Sequence, residues 1–326
     1  MSLPGSAYVP FWAGAVISDV VAHSSCTPSF ASGTTVPTLR LGCTRRDTAD
    51  ERQGTMGKDI WQQLESAEPS MIDRIAERLE MRGRDDAFVA MTDRYLNYID
   101  IDGLDMVLEL GCGTGVVSRS IASRPNFGGS VVGSDYSAQL IAVAERLAEA
   151  EGVADTVRFE VEDAQATQQP SDRFDAVILH TVVSHLPQPA LAVKEAARIA
   201  TASGTVVVFD GDYASLTIHT GHPDDGTVLQ AIRDASSANH HVMRSMPEIM
   251  KRASLSIRDI DASVLVATGE SPFFASLATT YVSLAADTGI LDPELGDNWM
   301  RSFEDASAAG TTFASCNYLT YIAHSG

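Results

Sequence analysis

A run of apolar residues leads directly into three glycines at alternate positions, and this feature restricts the fold more than any other. Residues 107–110, Val-Leu-Glu-Leu, are followed by Gly-Cys-Gly-Thr-Gly at residues 111–115, after which a helical pattern begins. Glycine lets a chain turn tightly and lets a ligand approach a backbone that a Cβ atom would keep away. The segment therefore predicts a buried strand, a ligand-binding turn and a helix.

The spacing of these glycines differs from the nucleotide-binding fingerprint of NAD enzymes. That fingerprint has glycine or alanine three residues after its second glycine, where this chain has Val116. Glu109 adds negative charge where a dinucleotide would place its pyrophosphate. The turn therefore favours a cationic or zwitterionic ligand, and a purely structural strand-to-helix turn is the alternative.

Short β-rich runs alternate with helical stretches from residue 106 to residue 209, after two amphipathic helices. This alternation predicts a mainly parallel sheet with helices on both faces. Beyond residue 210 the pattern loosens, and helices inserted there often roof the pocket at the strand ends. The predicted strands are 106–110, 130–133, 157–161, 174–179, 205–209, 256–262 and 312–322. The predicted helices are 68–81, 87–98, 116–122, 138–150, 190–200, 227–235, 246–253, 272–286 and 294–308.

The first 55 residues differ in composition from the remainder. They are rich in Ser, Thr, Gly and Pro, follow neither the helical nor the strand period, and hold four basic and four acidic residues. We expect a disordered leader, or upstream sequence translated from a misassigned start, before a domain at 56–326; a segment lying over the active site is the alternative. Within that domain we expect a cofactor-binding half at about 85–212 and substrate-capping elements at about 56–84 and 213–310.

The chain is strongly acidic, with 23 Lys and Arg against 43 Asp and Glu and a formal net charge of −20. Such a field repels phosphate backbones and anionic membrane surfaces, so we predict neither a nucleic-acid nor a membrane partner. No run approaches the roughly 20 apolar residues that a membrane-spanning helix needs. The four cysteines follow no metal-binding or disulfide spacing, which predicts a cytoplasmic protein.

Polar residues also follow the next predicted strands. Asp135 ends the second strand, where a carboxylate can accept both hydrogen bonds of a ribose diol; capping the following helix is its structural alternative. Asp163 follows the third strand, where it can accept a hydrogen bond from an adenine amino group, and His180 ends the fourth. These positions indicate a site for a ligand with an adenosine part.

With these residues in this order, the chain resembles the class I S-adenosylmethionine-dependent methyltransferases over roughly residues 85–212, and VLELGCGTG is similar to that family's first motif. The resemblance implies a Rossmann-like, doubly wound α/β fold with a mainly parallel seven-stranded sheet, an antiparallel last strand, a helical lead-in and helical insertions near the C-terminus. The resemblance implies S-adenosyl-L-methionine as cofactor. Within the family, the chain is most broadly similar to the small-molecule subgroup that resembles the ubiquinone and menaquinone biosynthesis enzymes. The implied cofactor-binding residues are Glu109, Gly111, Gly113, Gly115, Asp135, Tyr136, Asp163, Ala164 and His180.

Methyl transfer needs little catalytic machinery, because the sulfonium carries an activated methyl group and the enzyme mainly orients the acceptor, excludes water and accepts a proton. His185 is the candidate base, with capping of a nearby helix as its structural alternative. Asp210, Asp212 and Tyr213 follow the fifth predicted strand, and we predict that they bind the substrate. No metal is predicted, since the pair His240–His241 has no third ligand at a suitable spacing.

The absence of certain motifs excludes some classes of methyl acceptor. No Asn-Pro-Pro-Tyr-like run follows the fourth strand and no Pro-Cys pair occurs, which counts against enzymes that methylate adenine or cytosine in DNA. We therefore predict direct methyl transfer to a small molecule, at O, N, S or C, with a homodimer left open. Arg94 and Tyr95 are candidates to close over the methionine carboxylate, although Tyr95 also lies on an apolar stripe. The alternatives are an NAD-type Rossmann enzyme and a methyltransferase-fold protein with a non-methylating activity.

Overall fold

The computed structural model describes residues 69–325. The predicted leader at residues 1–55 lies outside the described residues. None of the described helices is long and apolar enough to cross a membrane. The helices are α1 (Pro69–Gly83), α2 (Asp86–Tyr98), α3 (Val116–Ala122), α4 (Ala138–Glu151), α5 (Pro189–Ile199), α6 (Asp225–Ser236), α7 (Val242–Arg252), α8 (Pro272–Asp287) and α9 (Pro293–Ala308). The strands are β1 (Met106–Leu110), β2 (Ser130–Asp135), β3 (Val157–Val161), β4 (Phe174–His180), β5 (Ala200–His219), β6 (Leu255–Thr268) and β7 (Phe313–Ser325).

The strands form one seven-stranded sheet in the order β3-β2-β1-β4-β5-β7-β6. The first five strands run parallel, and β7 lies antiparallel between β5 and β6. This arrangement confirms the predicted doubly wound sheet with an antiparallel last strand. The strand order reverses between β1 and β4, and in such sheets ligands bind in the crevice beyond the carboxyl ends of the strands at that reversal.

Both faces of the sheet are covered, because the central strands are apolar on both sides. On β1, Val107 packs with one apolar cluster and Leu108 with the other, as alternation along a strand requires. The first cluster holds side chains of α2, α3, α4, α6, α8 and α9, and the second holds side chains of α5 and α7. The sheet therefore lies between two layers of helices.

Helix α1 is attached to the segment that follows β1. Glu80 on α1 accepts hydrogen bonds from Thr114 Oγ1 at 2.7 Å and from Arg119 Nη2 at 2.6 Å. Arg119 is buried and also pairs with Glu151 at the end of α4. Leu79 packs with Leu140 of α4 in a separate apolar cluster. These contacts hold the end of α1 against the glycine turn.

The later strands are longer than the local pattern predicts. The predicted strand at 205–209 is the centre of β5, which continues to His219 through an irregularity in its pairing with β7 between Asp212 and Thr217. The predicted end of this strand at residue 209 was therefore wrong. Pairing with a strand about a hundred residues away stabilises the extended backbone, and local sequence does not reveal such a partner.

Candidate functional site

The glycine turn lies at the carboxyl end of β1, and its backbone lines a cavity. Gly111 and Gly113 have φ angles of +73° and +57°, a region that residues with a Cβ atom rarely adopt. A Cβ atom on Gly111 would lie 2.3 Å from Val182 Cγ2, and one on Gly113 would lie 2.8 Å from Leu79 Cδ1. Both positions therefore favour glycine, and the turn presents bare backbone to the cavity.

The cavity has a volume of about 410 Å³ and lies at the carboxyl ends of β1, β2 and β4. Its walls also include the loops after β3 and β4, parts of α1 and α2, and the start of α3. Most of the residues that the sequence predicted are brought together in these walls. They are Glu109, Gly111, Gly113, Asp135, Tyr136, Asp163, Ala164, His180 and His185.

Asp135 joins the end of β2 to the glycine turn. Its Oδ2 accepts a hydrogen bond from the backbone N–H of Gly113 at 2.8 Å, and its Oδ1 accepts one from the backbone N–H of Ser137 at 2.9 Å. Burial raises the pKa of this carboxyl, whereas the two backbone donors lower it. A carboxylate offers about four lone-pair positions, so Asp135 can hold the turn and still accept from a ligand.

Glu109 is the most deeply buried acidic side chain of the wall, at 2% exposure. Its Oε2 accepts hydrogen bonds from the backbone N–H and the hydroxyl of Ser118 at the start of α3. Burial, opposed by these bonds and reinforced by the negative charge of Asp135, raises the pKa of Glu109 to about 7. The buried carboxyl group of Glu109 and the half-buried one of Asp135 favour a positively charged ligand group beside the glycine turn.

The loop after β3 supplies a third acidic side chain to the cavity wall, that of Asp163. Asp163 Oδ1 accepts a hydrogen bond from the backbone N–H of Gln165 at 2.8 Å, which fixes the turn after the strand. Ala164 is buried, and Tyr136, after β2, is half exposed. A carboxylate, an apolar methyl group and an aromatic ring therefore all line the cavity.

His180 ends β4 within an aromatic stack. Its Nδ1 lies 2.9 Å from the hydroxyl of Tyr95, and its ring stacks on Phe209 with centroids 4.5 Å apart. Burial, together with the nearby charge of Arg82, holds the pKa of His180 well below its ordinary value. His180 is therefore a neutral imidazole. Tyr95 lies beneath it in the core, whereas Arg94 pairs with Asp261 at 2.6 Å on the surface.

Asp210 lies behind His185. His185 lines the cavity, and Asp210 is fully buried on β5 with its Oδ2 accepting a hydrogen bond from the backbone N–H of Ser184 at 3.0 Å. Burial raises the pKa of Asp210, and the charge of His185 is the largest influence lowering it. The carboxyl of Asp210 is therefore electrostatically coupled to the imidazole on the wall.

Asp210 and three other predicted site residues do not line the cavity. Asp212 is buried in an ion pair with Arg244 of α7, at 2.8 Å, and Tyr213 is buried in the apolar layer below α8. Gly115 precedes α3 and faces the ring of Phe159. The substrate-contact predictions for Asp210, Asp212 and Tyr213 thus gain no support from the wall.

Sequence reasoning missed Arg82, in the last turn of α1, which lines the cavity together with Phe88 and Thr181. The signal was available, because Arg82 lies three residues beyond Leu79 on the inward-facing side of the helix. The packing position of α1 decides which arginine reaches the site. Between residues 71 and 324 no group of three or more His, Cys, Asp or Glu side chains could hold a metal ion.

Comparison with known proteins finds methyltransferases. Residues 107–204 match the model of a methyltransferase domain. The chain is 28% identical over 143 residues to the methyltransferase GfsG of Streptomyces halstedii, covering 44% of this chain and 48% of that protein. It is 38% identical over 116 residues to the ubiquinone biosynthesis O-methyltransferase of Nitrosomonas europaea, covering 34% and 47%. The chain thus spans about half the length of these relatives.

The fold also has counterparts among solved structures. A putative methyltransferase from Bacillus halodurans superposes with a TM-score of 0.51 at 17% identity, covering 71% of this chain and 97% of that one. At this level of identity the likeness concerns the fold alone. None of these matches supports the NAD alternative.

Proposed function

We propose that this chain, which matches the model of a methyltransferase domain over residues 107–204, is a class I S-adenosylmethionine-dependent methyltransferase that transfers a methyl group from S-adenosyl-L-methionine to a small-molecule acceptor. One observation carries the proposal. The bare backbone of Gly111 and Gly113 and the carboxylates of Asp135 and Asp163 line one cavity at the reversal of strand order. Glycine backbone, a ribose-binding carboxylate and an adenine-binding carboxylate are the donor and acceptor set that this cofactor requires.

The residues present fit that cofactor. A Cβ atom at Gly111 or Gly113 would collide with Val182 or Leu79, so both residues present bare backbone to the cavity. Asp135 would hold the ribose hydroxyls, and Asp163 with Ala164 would hold the adenine. When bound, S-adenosyl-L-methionine supplies an activated methyl group on a positively charged sulfur. The acidic wall formed by Glu109 and Asp135 stabilises positive charge in the site.

On the acceptor side, His185 is the group placed to take a proton. It lines the same cavity as the glycine turn, and the buried Asp210 accepts a hydrogen bond from the backbone N–H of Ser184, the residue before it. His185 is the proposed catalytic base, and Asp210 acts through it as a positioning residue. An acceptor hydroxyl or amine would lose its proton to this imidazole as the methyl group is transferred.

The relatives support a small molecule as acceptor without naming it. One of them carries the name of an O-methyltransferase of ubiquinone biosynthesis, and another that of an ajmaline N-methyltransferase from Rauvolfia serpentina. Oxygen and nitrogen acceptors are both compatible with a base on the wall. The cytoplasmic location and the homodimer are predictions that these observations do not test.

Isothermal titration with S-adenosylhomocysteine tests the cofactor. We expect stoichiometric binding that excess NAD does not displace; displacement by NAD, or no binding, would contradict the proposal. Incubation of cell extract with methyl-labelled S-adenosyl-L-methionine and the protein, followed by identification of the labelled product, tests the transfer. A matched reaction with the Asp135→Ala variant shows which product depends on this site.

A further inference from the structure

The strand at one side of the sheet, β6, has an open edge. The strand order ends in β5-β7-β6, and β6 is hydrogen-bonded to β7 alone among the strands that the structure describes. Its 14 residues, Leu255–Thr268, extend over about 45 Å at the usual rise per residue of a strand. Within the described chain, the N–H and C=O groups on the outer side of β6 therefore have no strand to bond to, and an edge of this kind pairs readily with another chain.

A stripe of exposed apolar side chains runs beside that edge on one face of the sheet. Ile260, Val264 and Val266 are 52%, 63% and 52% exposed. Successive side chains of a strand alternate between the two faces, so these three and the intervening Ala262 point to the same side. Phe313 of β7, which is 40% exposed, pairs with the last residue of β6 and extends the stripe. Exposed apolar side chains in a continuous row are typical of an association surface.

The opposite edge of the sheet is protected against such pairing, whereas β6 is not. The edge strand β3 has only five residues, and its Arg158 and Glu160 side chains form an ion pair. Short edge strands and charged side chains are common means by which soluble proteins prevent edge-to-edge pairing. By contrast, β6 is long and carries only uncharged side chains over residues 262–268. This contrast favours a partner strand for β6.

The sequence of β6 is suited to pair with a second copy of itself. In an antiparallel pair with two-fold symmetry about Val264, residues at equal distances before and after Val264 lie opposite each other. Val264 then faces the same residue of the other chain, and Ala262 faces Val266. All of these side chains point to the same face of the sheet, so their apolar surfaces meet across the new strand pair.

Charged residues flank this apolar centre with opposite signs. Arg258 and Glu270 are both exposed and stand at equal distances before and after Val264. The pairing of β6 with β7 is irregular at Arg258, and the strand ends two residues before Glu270, so the regular part of β6 lies between them. In the symmetric pair each arginine lies beside the glutamate of the other chain. This charge complementarity favours a second copy of the chain as the partner of β6.

We infer that two copies of this chain dimerise by antiparallel pairing of their β6 strands about Val264, which joins the two sheets into one. A two-fold contact of this kind is closed, because each copy uses the same strand, so it yields a dimer and not a filament. None of the β6 residues lines the cavity, and the inference therefore does not depend on the proposed function.

Sedimentation of the full chain tests the dimer. We expect the wild type to sediment as a dimer at micromolar concentrations. Val264→Lys places two ammonium groups against each other at the symmetry axis and should raise the dissociation constant about tenfold or more. Val161→Lys is the matched control, because Val161 is 54% exposed on the other edge strand, and it should leave the dimer unchanged. A monomeric wild type would leave the edge to a partner of another kind and overturn the inference, as would an unchanged dimer in Val264→Lys.

Exchange of the flanking charges tests the register. Arg258→Glu and Glu270→Arg should each raise the dissociation constant about threefold or more, because like charges then meet across the strand pair. The double variant should recover the affinity of the wild type, since opposite charges meet again. Losses that simply add in the double variant would contradict the register. Thermal unfolding of each variant shows whether a lost dimer reflects lost folding.

Disulfide cross-linking locates the symmetry axis. Val264→Cys should form a disulfide between two chains on mild oxidation, because directly opposite residues of antiparallel strands have Cβ atoms about 4.5–5.5 Å apart. Ile260→Cys should not, because it places the two thiols roughly 27 Å apart along the strand pair. Cys26→Ser and Cys43→Ser provide the background, since the two remaining cysteines are buried. No cross-link in Val264→Cys, or a cross-link in Ile260→Cys, would overturn the inference.

Discussion

The carboxylate of Asp135 accepts a hydrogen bond from the backbone N–H of Gly113, with an N···O distance of 2.8 Å. The bond joins two residues 22 positions apart, one at the end of β2 and one in the turn after β1. The residue proposed to bind the ribose therefore also fixes the glycine backbone proposed to bind the methionine part. Replacing Asp135 perturbs both halves of the cofactor site together.

Asp135→Asn tests this double role with little change in volume. The Asn amide has one acceptor oxygen, so it cannot serve the N–H groups of Gly113 and Ser137 and a ribose diol at once. We expect the affinity for S-adenosylhomocysteine to fall about tenfold or more in isothermal titration. Asp155→Asn, an exposed position, is the matched control. Full affinity for S-adenosylhomocysteine in Asp135→Asn would show that Asp135 does not bind the cofactor.

Gly113→Ala and Gly115→Ala should separate binding from folding. Both place an alanine at positive φ, which costs about 1–2 kcal/mol. At Gly113 the new Cβ meets only the mobile tip of Leu79, so we expect weak cofactor binding in a folded protein. At Gly115 it lies 2.5 Å from the ring of Phe159, so overpacking adds about 1–3 kcal/mol to the loss of stability. Urea unfolding and titration measure the two effects, and equal destabilisation of both variants would contradict the distinction.

Glu109 should make stability depend on pH. Its pKa is about 7 in the folded protein against 4.5 for a free glutamate, so the folded state holds this proton more tightly. The associated stabilisation is complete below pH 4.5 and is lost as the pH rises through 7, by about 3 kcal/mol in all. Glu109→Gln should therefore become more stable relative to the wild type over that interval in urea unfolding, while the exposed Glu145→Gln should not. A difference that is constant with pH would contradict the raised pKa.

His185 and Asp210 should affect turnover and not cofactor binding. With an acceptor identified by methyl labelling, His185→Gln should lower kcat about 100-fold or more, because proton transfer by a placed side chain contributes that much. Asp210→Asn should lower kcat about tenfold, since the imidazole keeps its place but loses its buried charge partner. The affinity for S-adenosylhomocysteine should stay within twofold in both variants, and His241→Gln is the exposed control. Unchanged kcat in His185→Gln would exclude it as the base.

Much of the site followed from the sequence, since its residues stand at the ends of strands. Glu109, Gly111, Asp135 and His180 were found from their positions at or near the ends of apolar runs, and parallel strands bring such positions to one edge of a sheet. The same rule predicted Asp212 and Tyr213, which do not line the cavity, because β5 does not end at residue 209 but continues alongside β7. A strand that continues carries its side chains into the core or into ion pairs instead of into the crevice.

The sequence by itself determined the order of helices and strands, the glycine turn and the acidic residues around it, because periodicity and glycine conformation are local properties. The tertiary structure alone decided that Arg82 lines the cavity while Arg94 pairs with Asp261, and that the buried Asp210 accepts a hydrogen bond from Ser184, next to His185. Each of these facts depends on how separate elements dock. The local sequence pattern identifies the buried face of a helix or strand. Only long-range packing decides which residues of other elements contact that face.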